Sequence, residues 1–259
     1  MSASHDKPAD AHDHSHDGEE YSRFHLDVHS LLNHLVNGGN IITPEEDKAM
    51  ESPQQPDAFL ISCIDSRFQP DRALDYGPGV TLEYRPISAV IPPEAEADAA
   101  LLARMAFRRL KDVGNIILIA HSDCGGAQAA IDIPDPDIKN GGDLDIVAAE
   151  SHRTGLDIAA LSAQFKAATR GDKRAAGNML AKEIAIQSMK NIMGYKGRTG
   201  FATIADEIAA GKASAALLYY DLDSRSVQQY DMASQKWETV FMPPAAPKNT
   251  AGANPAAKP

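Results

Sequence analysis

The sequence predicts an α/β protein: a mostly parallel central β-sheet flanked by helices, with an antiparallel edge strand and an N-terminal helical arm. Three observations predict it. Two short apolar runs, Ala58-Phe59-Leu60-Ile61-Ser62 and Asn115-Ile116-Ile117-Leu118-Ile119-Ala120, do not alternate polar with apolar residues and are bounded by turn chemistry, as buried parallel strands are. Stretches with helical spacing lie between and after them. A late run from Ala215 to Asp221 reads as a further core strand, and Ser226 to Tyr230, beyond Asp223-Ser224-Arg225, reads as its hairpin partner at the sheet edge.

Taken in order, residues 1–20 are polar, with His5, His12, His14 and His16 among Asp, Ser and Ala. Too little is apolar there to offset the entropy of ordering, so a disordered tail is expected, although His12, His14 and His16 are the kind of tract that captures zinc or nickel loosely. One domain is expected over residues 21–242. Its helical arm is read from Phe24, Val28, Leu31, Leu32 and Leu35 and ends at Asn37-Gly38-Gly39-Asn40. His25 and His29 share a face of that arm with no third ligand nearby in sequence, so they read as surface or interface residues.

Gln69-Pro70 opens a short helix through Leu74, Asp75 to Gly79 is turn chemistry, and Val80 to Tyr84 is the second strand. Glu94 to Lys111 reads as a helix with Ala100, Leu101, Met105, Ala106 and Leu110 inside and Arg104, Arg108 and Arg109 largely outside. A helix starts at Gly125, Ile133 to Gly142 is a loop, and helical stretches follow at Leu144–Ala168, Lys173–Met193 and Gly200–Ala210. From Pro243 onward Pro, Ala, Asn and Lys dominate, which makes residues 243–259 a second disordered tail.

The 259 residues carry 36 acidic and 25 basic side chains, a formal charge of -11. That balance argues against nucleic acid or an anionic membrane as a main partner, since both need basic patches. No run approaches the roughly 18 apolar residues that cross a bilayer, and no basic patch precedes an apolar segment at the N-terminus, so a cytoplasmic protein is expected. In that reducing compartment the two cysteines are read as metal ligands or free thiols ahead of a disulfide.

Both cysteines follow a predicted core strand, in Cys63-Ile64-Asp65-Ser66-Arg67 and His121-Ser122-Asp123-Cys124-Gly125-Gly126. Parallel strands end on one edge of the sheet, so Cys63 can approach His121 and Cys124. Two thiolates and an imidazole are ligands that Zn2+ prefers, and three protein ligands leave a fourth tetrahedral position open, as in catalytic sites. Asp65 and Arg67 can pair through the guanidinium fork. The free amides of the helix that begins at Gly125 favour an anion.

These two motifs, with this spacing, resemble the signature of the β-class carbonic anhydrases, and the likeness runs from about Leu31 to about Tyr230. The resemblance implies one zinc ion per chain on Cys63, His121 and Cys124. It implies attack of zinc-bound hydroxide on carbon dioxide to give bicarbonate and a proton, without an organic cofactor. Asp65 then has two arrangements: clamped by Arg67 so that it orients the hydroxide, or released to serve as a fourth zinc ligand. Gly125 is the expected bicarbonate-binding position, His152 is one candidate for the proton shuttle, and the N-terminal arm implies a homodimer or a dimer of dimers. The family's Arg-Asn-Ala-Gly-Asn segment is replaced here by Arg85-Pro86-Ile87-Ser88-Ala89, and proline removes a backbone donor from that pocket wall. Hydrolysis of carbonyl sulfide or carbon disulfide, or a silent zinc-containing binding role, are the alternatives.

Overall fold

A computed structural model of the chain describes residues 55–74, 76–135 and 142–243. The predicted N-terminal arm, both predicted tails, His25 and His29 lie wholly or almost wholly outside those residues. Within them, six strands form one sheet in the order β2-β1-β3-β4-β5-β6. The strands are β1 (Ala58–Ser62), β2 (Thr81–Tyr84), β3 (Asn115–His121), β4 (Ser214–Tyr220), β5 (Val227–Asp231) and β6 (Lys236–Phe241). The first four are mutually parallel, and β5 and β6 turn back antiparallel.

Among the described residues seven α-helices accompany them: α1 (Pro70–Leu74), α2 (Ala99–Leu110), α3 (Gly125–Asp132), α4 (Asp143–His152), α5 (Ile158–Ala168), α6 (Lys173–Met193) and α7 (Ile204–Ala209). Every residue of β1 is buried, which is why its sequence shows no alternation. The main core packs Phe59, Ile61, Ile116 and Leu118 against Leu101, Met105, Leu180 and Ile184. On the other sheet face, among the described residues, Leu60 of β1 and Ile119 of β3 pack with Phe68, Leu74 and Tyr76. Among the described residues no helix is long and apolar enough to cross a membrane.

The structure corrects four sequence expectations. The helix expected from Glu94 begins instead at Ala99, where Asp98 caps it by accepting the Leu101 N–H at 2.8 Å; only a short 3-10 turn occupies Glu94–Glu96. Leu144 to Ala168 is two helices, because Gly155 takes φ +83 between them and Asp157 caps the second. Hairpin strand β5 is interior, and the edge belongs to β6, where Trp237 turns inward onto Tyr219 and Tyr230 while most other side chains are exposed. On α2 the inward stripe is Leu101, Met105 and Arg108, whereas Leu110 is 81% exposed. Arg108 is fully buried, with Glu207 of α7 3.9 Å from its guanidinium.

Candidate metal centre

The register Ser62↔Ile119 sets β1 and β3 side by side, so their carboxyl ends deliver Cys63 and His121 to the same sheet edge. Cys124 follows three residues later as the N-cap of α3. The three ligand atoms lie within 4.8 Å of one another, and all three residues are buried. The two sulfurs are 3.8 Å apart and unbonded. Two thiolates at about 2.3 Å from one tetrahedral ion would be separated by about 3.8 Å, so the spacing fits a single zinc.

The imidazole is set for the same purpose. His121 Nδ1 lies 2.8 Å from the Ser122 carbonyl, which assigns the proton to Nδ1, and the Phe68 ring stacks on the imidazole at 5.9 Å. Nε2 is left as the lone-pair nitrogen, buried with no hydrogen-bond partner. An orphaned buried acceptor facing two thiols is what an ion would satisfy.

Two residues that sequence reasoning underused support the sulfurs. Arg85, read only as the first residue of the pocket-wall segment, donates to the carbonyls of Cys63, Asp65 and Phe68 at 2.7 to 3.1 Å and so staples the loop after β1. Ser88 takes a left-handed backbone, φ +55, with Ala89 beside it at φ +56. The Ser88 N–H donates to Cys63 Sγ at 3.3 Å, and its hydroxyl lies 3.5 Å from Cys124 Sγ. The Pro86 segment therefore supplies donors to the thiolates despite the missing proline N–H, and Gly126 admits it, since a Cβ there would meet Ile87 and Ser88.

The family model described as carbonic anhydrase matches residues 58–227, more than half of the chain. The chain belongs to the carbonic anhydrase family. Its relatives place it in the β class. It is 34% identical over 92 residues to β-carbonic anhydrase 5, chloroplastic, of Arabidopsis thaliana, covering 35% of this chain and 31% of that protein. It is 23% identical over 200 residues to β-carbonic anhydrase 6, mitochondrial, of the same plant, covering 76% and 64%. The matches thus span less than two thirds of these curated relatives' lengths. Among solved structures, the β-carbonic anhydrase CcaA superposes with a TM-score of 0.64 at 18% identity, covering 81% of this chain and 96% of that one. Tetrameric β-carbonic anhydrases from Sordaria macrospora give 0.60 at 22%, covering 77% and 93%. These share the fold.

In this chain, Arg67 grips Asp65. Arg67 Nε donates to Oδ1 at 3.1 Å, Nη2 to Oδ2 at 2.7 Å, and the Arg67 backbone N–H to Oδ1 at 2.9 Å. Asp65 Oδ2 stands 4.0 Å from His121 Nε2, at the rim of the ligand set. Burial raises the Asp65 pKa, but the Arg67 hydrogen bonds outweigh it and hold the carboxyl below its ordinary value. Between the sulfurs, the contact with Cys63 holds Cys124 well below the usual thiol value, while the same contact and burial push Cys63 up. Burial lowers His121, yet its contact with Cys124 outweighs that and raises it.

His152 is not brought to this centre. It lies near Ile133, beyond the last residue of α3, and eight helical residues carry the chain about 12 Å from the Gly125 end.

Proposed function

We propose that this chain is a zinc-dependent enzyme that interconverts carbon dioxide and bicarbonate, with Cys63, His121 and Cys124 as the metal ligands. The observation that carries the reading is the bidentate Arg67–Asp65 clamp beside a three-ligand site whose imidazole Nε2 is free. Zinc bound there would supply a hydroxide nucleophile near neutral pH, by lowering the pKa of water to about 7. The chain's own residues do the rest. Asp65, kept anionic by Arg67, accepts a hydrogen bond from the nucleophile and aims it; Arg67 keeps Asp65 off the ligand position. Gly125, the first residue of α3, offers a backbone amide to an anionic product at the helix N-terminus. Phe68 and the Pro86–Ala89 wall keep the imidazole and thiols out of solvent.

No organic cofactor enters this scheme. We also place the protein in the cytoplasm, as a homodimer or a dimer of dimers, with residues 1–20 and 243–259 as tails outside a single catalytic domain. The Sordaria macrospora β-carbonic anhydrases are tetrameric, which supports an assembly of this kind.

Stopped-flow assay of the zinc-loaded full chain with dissolved carbon dioxide, from roughly pH 6 to 9 around the value that zinc gives its water, tests the reading. Saturable hydration lost on chelation is the expected result. A chain that holds one zinc yet hydrates no carbon dioxide at any pH would overturn it. Turnover of carbonyl sulfide or carbon disulfide in that case would redirect the same site to those gases, and silence toward all three would point to a binding role.

A further inference from the structure

Arg67 is an insecure clamp taken alone. Its side chain is 51% exposed, and Asp65 meets the guanidinium along one edge only, through Nε and Nη2. Asp65 therefore does not by itself fix the guanidinium that is supposed to fix Asp65. The structure supplies a second anchor on the other side of the fork. Arg67 Nη1 donates to Asp123 Oδ2 at 2.7 Å, and Nη2 donates to the Asp123 backbone carbonyl at 2.7 Å.

Asp123 is itself held from three directions. Its backbone is left-handed, φ +56, a region that Asp and Asn enter more readily than other side-chain-bearing residues. Its N–H donates to Asn178 Oδ1 on α6 at 2.7 Å, and its Oδ1 accepts Gln128 Nε2 from α3 at 2.6 Å. Arg174, also on α6, approaches Oδ1 at 3.4 Å and is tied in turn to Asp223 at 2.8 Å. A carboxylate pinned by two packed helices is a rigid reference point for the exposed guanidinium.

We propose that Asp123 is a positioning residue for Arg67, and that through Arg67 it keeps Asp65 in the clamped arrangement and away from the metal position. The proposal rests on the ligand and dyad assignment above and extends it to a residue between two of the ligands. A planar guanidinium held along one edge can pivot with the carboxylate it holds; held by two carboxylates, its plane is fixed. Charge alone makes the opposite prediction. On that view Asp123 competes with Asp65 for one cation, and removing it would tighten the Arg67–Asp65 pair.

Asp123→Asn separates these views, because asparagine keeps the size and the tolerance for positive φ while removing the charge. The full chain is loaded with cobalt(II), and its d–d bands are titrated with thiocyanate, a probe of whether a ligand position is open. In the wild type thiocyanate shifts the bands. In Asp123→Asn we expect the apparent thiocyanate affinity to fall by about tenfold, the lower end of the usual effect of losing an outer hydrogen-bonding partner, as the unclamped Asp65 competes for the position. In the zinc form kcat falls by a similar factor while zinc stoichiometry and KM stay near wild type. Arg67→Ala gives the same thiocyanate response, and adding Asp123→Asn to it changes nothing further, since both act through one contact. Wild-type or tighter thiocyanate binding in Asp123→Asn, or additive losses in the double variant, would overturn the proposal. A wild-type chain that hydrates no carbon dioxide would overturn the functional reading and leave the cobalt comparison intact, so the two fail separately.

Discussion

Gly126→Ala tests the support under the sulfurs. Gly126 is the second residue of α3, and a Cβ built there would lie 2.6 Å from Ile87 Cγ2 and in overlap with Ser88 Oγ. Carbon atoms pack at about 3.5 to 4.0 Å, so Ile87 and Ser88 must retreat by about 1 Å. Helix propensity favours alanine by about 1 kcal/mol at most, and mostly in helix interiors. Forcing a methyl into a packed interior costs about 1 to 3 kcal/mol, so the clash decides the sign. The retreat also pulls the Ser88 N–H from Cys63 Sγ and its hydroxyl from Cys124 Sγ. Loss of outer partners of this kind weakens metal binding by about 10- to 100-fold. Competition for zinc with a chromogenic chelator should show that loss, and the melting temperature should fall by a few degrees. Gly125→Ala is the matched control, since a Cβ there meets nothing within 4 Å, and its zinc affinity should stay at the wild-type value. Wild-type zinc affinity in Gly126→Ala would show that Ser88 does not support the sulfurs.

Arg67→Ala should abolish carbon dioxide hydration while leaving one zinc per chain by elemental analysis. It should also lower the urea midpoint at pH 7. The Asp65 pKa is depressed in the folded state, so this stabilisation is present above the ordinary carboxylate value of 3.8 and fades as pH falls through and below it. Midpoints of wild type and variant should therefore converge only as the pH falls below that depressed value. Cys124→Ser should lose zinc; retention of a full equivalent would disprove the ligand set. Arg108→Met should destabilise the protein by about 3 kcal/mol, the lower end for removing one member of a buried ion pair. Glu207 is 4% exposed and its Oε2 has no hydrogen-bond partner, so the variant leaves it only Arg198, at 3.8 Å, as a cationic neighbour. An unchanged or raised melting temperature would refute that account.

The sequence alone revealed those parts whose physics is local or periodic. Strand β1 and helix α6 fall at the expected bounds, because burial on both faces leaves a continuous apolar run and Asp172 marks where a helix starts. Cys63, His121 and Cys124 were legible because parallel strands must end together. Strand β6 was not, since only Trp237 turns toward the core and most of the rest reads as polar surface. Arg108 looked external because its partner Glu207 lies 99 positions away. Ser88 and Asp123 were missed as supports because each acts from a left-handed backbone whose partners belong to other elements. Their one sequence signal was position: Asp123 between two ligands, Ser88 in the segment that departs from the family pattern.

The ligand sulfurs are 61 positions apart, joined only by the crossover through β2 and α2. No short peptide of this chain holds the set, so this three-ligand site does not exist until β1 and β3 have paired. Zinc then stabilises the finished native state by mass action and gives no instruction to the nascent chain. Uptake of the metal therefore marks completed assembly, and scarcity of zinc leaves a folded protein waiting for its ion.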